Sequence, residues 1–195
     1  MLYDTHPVLR SLHDLGLAAW FGGNLMGAVG LNRAASEARD PGERTRLSSA
    51  GWAAWRPLQA AAIGAHLAGS IGMLQADRGR VAVQPGAATD TAVKTVLTAA
   101  ALVATAASGV LGAKVEQRSP APAAGATEPS AETPSDAAAA QRALRPLQWV
   151  PPALTGALIV LAARQGEQQR VVSPARGALG RGLLGVRAGR LRAVR

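Results

Sequence analysis

The sequence predicts an all-α protein, an integral membrane four-helix bundle with a disordered linker and a basic C-terminal tail. Three observations predict it. The chain of 195 residues carries four apolar runs of similar length, set apart by charged or proline-rich segments. Aromatic residues make up only 3% of it, with one Phe and one Tyr, so little aromatic mass is available for a soluble core. Ala and Gly fill the runs instead. Small residues suit helices that approach closely in lipid, where van der Waals contact replaces the hydrophobic drive.

The first run covers about 12–31 and has no charge from Leu15 to Leu31. A secretory signal peptide is its nearest rival. That would need a basic start, a shorter apolar stretch and a small-residue cleavage site. Here Asp4 and Asp14 flank a single Arg10, and the run carries Trp20 and Asn24. Residues 32–56 form a charged connector with a turn signal at Asp40-Pro41-Gly42. Trp52, Trp55 and Arg56 then read as an interfacial anchor, because amphipathic rings favour the headgroup level.

The second run is 57–74, with Pro57 expected in its first helical turn, where the missing N–H costs nothing. At about 1.5 Å per residue it covers ~27 Å, close to the ~30 Å hydrocarbon core. A polar loop with Asp77, Arg78 and Arg80 leads to the third run, 92–113, whose one charge is Lys94, placed to snorkel. Residues 115–141 are rich in Pro, Ala, Ser, Thr and Glu, a composition expected to bury no core. The fourth run is 147–163, with Trp149 and Pro151-Pro152 at its start. The expected organisation is therefore a membrane domain, 1–163, followed by an Arg/Gly-rich tail, 164–195.

That tail holds eight arginines against one acid, Glu167, so it supplies most of the net charge of +9. A nucleic-acid reading of this charge fails for want of interleaved aromatics. Anionic lipid is the expected partner, at ~1 kcal/mol per basic residue near the surface. On that ground both termini are expected in the cytoplasm of a bacterium, with the chain crossing the plasma membrane several times. Absent cysteine excludes disulfides and thiolate metal sites.

In the first run Gly16, Gly23 and Gly27 fall on one helical face, and in the second Ala60, Gly64, Ala68 and Gly72 do the same. These stripes are expected to pack on each other within the chain rather than to form a dimer face. A second face of the second run is polar, with Gln59, His66 and Ser70. With Asn24 and the hydroxyls of the third run, among them Thr98 and Thr105, these residues form an expected polar seam. Ionisable groups at such depth tend to face a bundle interior, although Ser and Thr also bond back to their own helices. Bis-histidine haem through His13 and His66 is disfavoured, because the run centres place the two rings ~13 Å apart in depth. Three scattered histidines without paired carboxylates make no metal site. Neither a cofactor nor a metal is expected.

The pattern His13-x6-Trp20-Phe21-Gly22-Gly23 resembles the first helix of copper-resistance-D-like membrane domains and related small multispan proteins. The resemblance implies a multispan α-helical fold. Copper transport does not carry over, since the chain lacks Met-rich or further His-rich ligands. The bias to Arg over Lys, with abundant Ala and Gly, looks like a GC-rich bacterium such as an actinobacterium. With no phosphate loop, nucleophile elbow or HExxH pattern, the expected function is that of a non-enzymatic accessory or partner-binding subunit. Its partners would be the bilayer and either a membrane protein or a second copy. The alternative is a small transporter, or a redox or cofactor-binding protein, using the seam around His66.

Overall fold

The computed structural model describes residues 7–76 and 85–164. The Asp77, Arg78 and Arg80 loop and the tail beyond Arg164 lie outside the described residues. Helix α1 (Pro7–Met26) runs through a π-helical turn (Gly27–Leu31) into the short α2 (Asn32–Ser36). Three more helical columns follow: α3 (Pro41–Ala76), α4 (Pro85–Gln117), and α5 (Ser135–Leu147) continued by α6 over 150–164. Among the described residues there is no strand, only one isolated bridge between Ala123 and Pro129. The chain divides into two units, residues 1–159 and 160–195, and the second is described only through the end of α6.

The all-helical class is as expected. Among the described residues two stretches are long and apolar enough to cross a membrane, Ala88–Gln117 and Ser135–Arg164, each of 30 residues. The first contains the third apolar run and the second contains the fourth.

The second run departs from expectation. Helix α3 starts sixteen residues before Pro57, which therefore lies inside the helix and not in its first turn. An interior proline forfeits a ladder hydrogen bond and costs roughly 3 kcal/mol. The preceding segment is held helical at both ends. At its start the Asp40 carboxylate accepts from the Gly42 N–H at 2.8 Å, a cap for an otherwise unpaired donor. Glu43 in the first turn pairs with Arg46, which holds the Glu43 carboxyl below its usual range and raises Arg46. Near Pro57, the indoles of Trp52 and Trp55 lie over α1. The expected interfacial anchor is thus half-buried packing: Trp55 covers Gly23 and Trp52 covers Gly27.

Helices α1 and α3 run antiparallel and cross at backbone contact. A Cβ on Gly16 would lie 2.5 Å from the Ala62 carbonyl oxygen and from the His66 nitrogen. From the other side, a Cβ on Gly69 would lie 2.5 Å from the His13 nitrogen and the Leu9 oxygen. Gly72 receives Leu9, and Gly51 receives Leu31. Of the expected stripe on α3, Gly72 belongs to this interface and Gly64 does not. A Cβ on Gly64 meets nothing within 4 Å, and Ala60 and Ala68 are exposed. The buried face of α3 is the polar one: Gln59, Ala62, His66 and Gly69. The buried polar groups find partners at this interface, as Gln59 does with Asn24, and the small exposed residues need none. The core around this crossing is Leu17, Trp20, Ala62, Ala101 and Leu158.

The expected linker, 115–141, is not disordered: its ends belong to α4 and α5, and residues 118–134 between them are ordered by side-chain contacts. It forms a clasp on the N-terminus of α3. Ala121, Ala123 and Ala126 are buried. Its carbonyls are taken by side chains: Thr45 Oγ1 donates to Ala121 at 2.8 Å, Arg44 to Ala123 at 3.1 Å, and Thr133 to Pro122 at 2.6 Å. Gln141 on α5, fully buried, donates to both Gly125 (3.0 Å) and Ala126 (3.1 Å). At its edge Arg118 binds Asp136 at 2.7 Å and holds that carboxyl below its usual range. Composition missed this because alanines bury little area each, while the order comes from backbone acceptors. Gln141→Leu is expected to leave those two carbonyls unpaired and to cost about 1–3 kcal/mol. Limited proteolysis would read the effect as faster cleavage between residues 119 and 134.

Candidate functional site

The candidate site is a column of buried polar side chains between α1, α3 and α4. It begins at Asn24, on the inner face of α1, whose Nδ2 donates to the Trp20 carbonyl of its own helix at 2.8 Å. Its Oδ1 faces Gln59 Nε2 from α3 at 3.4 Å. Trp20 is wholly buried, and its Nε1 donates to Thr105 Oγ1 on α4 at 3.1 Å. This bond ties α4 to the α1–α3 pair. Towards the other end, His66 is buried beneath Trp20, with ring centroids 6.1 Å apart.

Of the residues expected in the seam, Asn24, Gln59, His66 and Thr105 come together. Ser70 lies beside His66 but donates to the His66 carbonyl at 2.8 Å, within its own helix. Ser108 does the same to Ala104. Thr98 is half-buried on α4, two turns before Thr105.

The expected depth difference between His13 and His66 is overturned. Their ring centroids are 4.5 Å apart and tilted by 44°. The separation inferred from run centres failed because α3 extends far beyond its apolar run. His66 therefore lies in the later part of the helix, opposite the early part of the antiparallel α1. The contact also removes bis-histidine haem by a different argument: no porphyrin fits between rings that touch. Among the described residues no three His, Asp or Glu side chains gather to hold a metal ion.

The π turn adds a second polar group that the sequence reading did not single out. The Asn32 N–H donates to the Gly27 carbonyl, five residues back, and this wider turn brings Asn32 onto the interior face. There Trp52 Nε1 donates to Asn32 Oδ1 at 2.9 Å, and Asn32 Nδ2 donates to Gln148 Oε1 at 2.9 Å. The only sequence signal was an Asn eight residues after Asn24, close to the same face.

Beside this cluster lies a cavity of about 110 Å³. Trp52, Gln59, Thr105, Gly109 and Gly112 contribute to its walls. Arg56 and Glu116 also line it and pair at 2.9 Å. The lining hydroxyls of Ser48, Thr105 and Ser108 donate to backbone or accept from Trp20. The lining residues include no His, Lys or Cys to activate them. The arrangement has the volume for a small molecule, and the one carboxylate lining it, Glu116, is engaged by Arg56.

Compared with known proteins, the chain matches no family model, no curated protein and no solved structure.

Proposed function

We propose that the chain is a multi-pass membrane protein of the bacterial plasma membrane, acting without catalysis as an accessory or partner-binding subunit. The observation that carries this reading is an inversion of polarity. Buried side chains include Asn24, Asn32, Gln59, His66, Gln141 and Thr155. Large apolar side chains face outward on every long helix: Leu15 on α1, Leu58 and Ile71 on α3, Val96, Val103 and Val110 on α4. Water rewards the opposite distribution, whereas a bilayer rewards this one.

In this reading all four columns cross. Columns α1 and α3 are less apolar than the other two, since α1 carries Arg10, His13, Asp14 and Asn24 and α3 carries Gln59 and His66. Asn24, Gln59 and His66 point inward. Charged groups along the columns have partners: His13 contacts Asp14 at 2.7 Å, and Arg56 contacts Glu116. The basic tail favours cytoplasmic termini and contact with anionic lipid. The exposed apolar faces would receive lipid, a partner protein or a second copy.

The test is fractionation of the full-length chain expressed in a bacterium. It is expected in the membrane pellet after alkaline carbonate and in solution only with detergent. Quantitative recovery in a detergent-free supernatant would sink the proposal. Cysteine scanning at loop positions, with a membrane-impermeant maleimide, distinguishes four crossings from two.

The competing reading, a transporter or cofactor protein built on the seam, draws support from the seam itself, where Gln59 meets Asn24 and Trp20 meets Thr105. A coloured or metal-loaded purified sample, with the ligand lost in His66→Ala, would favour it over the accessory role.

A further inference from the structure

Most polar groups around the cavity beside the seam are spent within the fold. Ser48 and Ser108 donate to carbonyls of their own helices. Asn32 accepts from Trp52 and donates to Gln148. Arg56 and Glu116, the two charged lining residues, bind each other at 2.9 Å. Both are partly exposed, so they stand where the cavity meets the outside.

Two groups from the seam are left over. Thr105 Oγ1 accepts from Trp20 Nε1 at 3.1 Å. Ser70, Thr95, Ser108 and Thr155 each donate to a carbonyl one turn back in their own helix, whereas Thr105 donates to none of the described residues. Its O–H is free to donate elsewhere. Gln59 supplies the matching acceptor. The Trp20 carbonyl takes the Asn24 amide N–H at 2.8 Å, so Asn24 presents its oxygen to Gln59, and Gln59 answers with Nε2. Gln59 Oε1 is thereby turned away, and it accepts from none of the described residues. The sealed polar atoms without partners are on Trp55, His66 and Gln141, so Gln59 Oε1 reaches open space although the residue is buried. The open space that Gln59 and Thr105 both line is this cavity.

The walls decide between water and a ligand. Gly109 and Gly112 of α4 line the cavity, and a Cβ on either would meet nothing within 4 Å. Interior glycines weaken a helix, and no close approach calls for these two as it does for Gly16 and Gly69. They hold that wall back. At about 110 Å³ the cavity exceeds the one water that Thr105 and Gln59 can fix. Further waters would face Trp52, Val115, Leu144 and glycine, without the about two to four polar partners that a buried water takes. An apolar cavity of ~150 Å³ accepts benzene, so a single ring is the upper limit here.

We infer that this cavity binds an uncharged molecule with one hydroxyl on an apolar body no larger than a single ring. The hydroxyl accepts from Thr105 and donates to Gln59 Oε1, and the body lies against Trp52 and the glycine wall. Charge is excluded because Arg56 and Glu116 neutralise each other and no other lining residue is charged. The inference stands on the cavity alone, whatever the number of columns that cross the bilayer.

The experiment uses full-length protein in detergent micelles with phenol as the probe and benzene and benzoate as comparisons. The ¹⁵N–¹H indole signal of Trp52, assigned by Trp52→Phe, is followed by NMR. Phenol is expected to shift it saturably. Benzene, which lacks the hydroxyl, is expected to bind at least ~10-fold more weakly, and benzoate to give no saturable shift. Gly109→Leu and Gly112→Leu place a side chain in the cavity. Each is expected to keep or raise the melting midpoint by circular dichroism and to abolish the saturable shift. Gln59→Met is expected to lower phenol to the affinity of benzene. A shift that stays linear in phenol concentration reports partition into the micelle alone and overturns the proposal. So does an unchanged phenol affinity in both leucine variants, or benzene or benzoate bound as tightly as phenol. Fractionation is scored separately: a chain recovered without detergent is titrated in buffer with the same expectations, so failure here and failure of the membrane reading are distinguishable.

Discussion

Gly16→Ala is expected to break the protein apart at its centre, although it adds only one methyl group. The new Cβ would meet the Ala62 carbonyl oxygen and the His66 nitrogen at 2.5 Å. Both are backbone atoms, so no rotamer change relieves the clash. The helices must move apart along the whole crossing, and contacts that depend on close approach go with it: Trp55 on Gly23, Trp52 on Gly27 and the His13–His66 contact. Overpacking of a tight core costs roughly 1–3 kcal/mol where side chains can yield, and more is expected here, above about 3 kcal/mol, since they cannot. Gly69→Ala is the mirror experiment and should behave alike, through His13 and Leu9. Gly64→Ala is the control. It faces open space and should be neutral or gain up to about 1 kcal/mol from helix propensity. Thermal unfolding in detergent, followed by circular dichroism, separates the three variants. Equal midpoints would show that the crossing does not hold the bundle.

Trp20→Ala is the second large effect. The side chain is wholly buried among Leu17, Ala62, Ala101 and Leu158. Truncating a buried Trp costs about 3–5 kcal/mol through lost contacts and the cavity left behind. The indole also supplies the hydrogen bond to Thr105, so the Ala variant is expected to loosen α4 as well. Trp20→Phe isolates that bond. It keeps most of the ring and should cost about 1 kcal/mol for the lost donor, plus a smaller packing loss. Denaturant midpoints for the two variants, with cysteine crosslinking between α1 and α4, would measure the packing and the bond separately. A Phe variant as unstable as the Ala variant would place the effect in the hydrogen bond rather than the packing.

Particular residues show which parts of this structure the sequence carried. The helical columns were legible because apolar runs without charge are long and rare. The choice of face was not. On α3 the stripe Ala60, Gly64, Ala68 looked like the packing surface, by the rule that small residues admit close approach. The same helix offered Gln59, Ala62, His66 and Gly69 on its other side. The polar face went in, where Gln59 meets Asn24 and His66 meets the His13 carbonyl. Gly69, where α3 meets the backbone of α1, belonged to that face and was passed over for its neighbours.

Depth was the other illegible quantity. It was inferred from where hydropathy begins and ends, but α3 continues for sixteen residues before its apolar run. An antiparallel partner reads position from the whole helix, not from its apolar part. His13 and His66 therefore seemed far apart and are in contact. The clasp shows a third failure. Its prolines and alanines suggested an unstructured link, while most side chains that order it sit outside residues 118–134, on Thr45, Arg44 and Gln141, with Thr133 added from within. No local pattern within residues 118–134 announces donors supplied from α3 and α5.

The π turn at Gly27–Leu31 makes the first column sensitive to counting rather than to chemistry. Everything beyond it, from Asn32 onward, points where it does because one ladder step there spans five residues instead of four. A substitution in the turn changes a surface. A deletion of one residue would rotate Asn32 away from Trp52 and Gln148 and turn the following chain with it. Along this stretch phase governs the packing: a substitution leaves the number of residues between Asn24 and Asn32 unchanged, and a deletion does not.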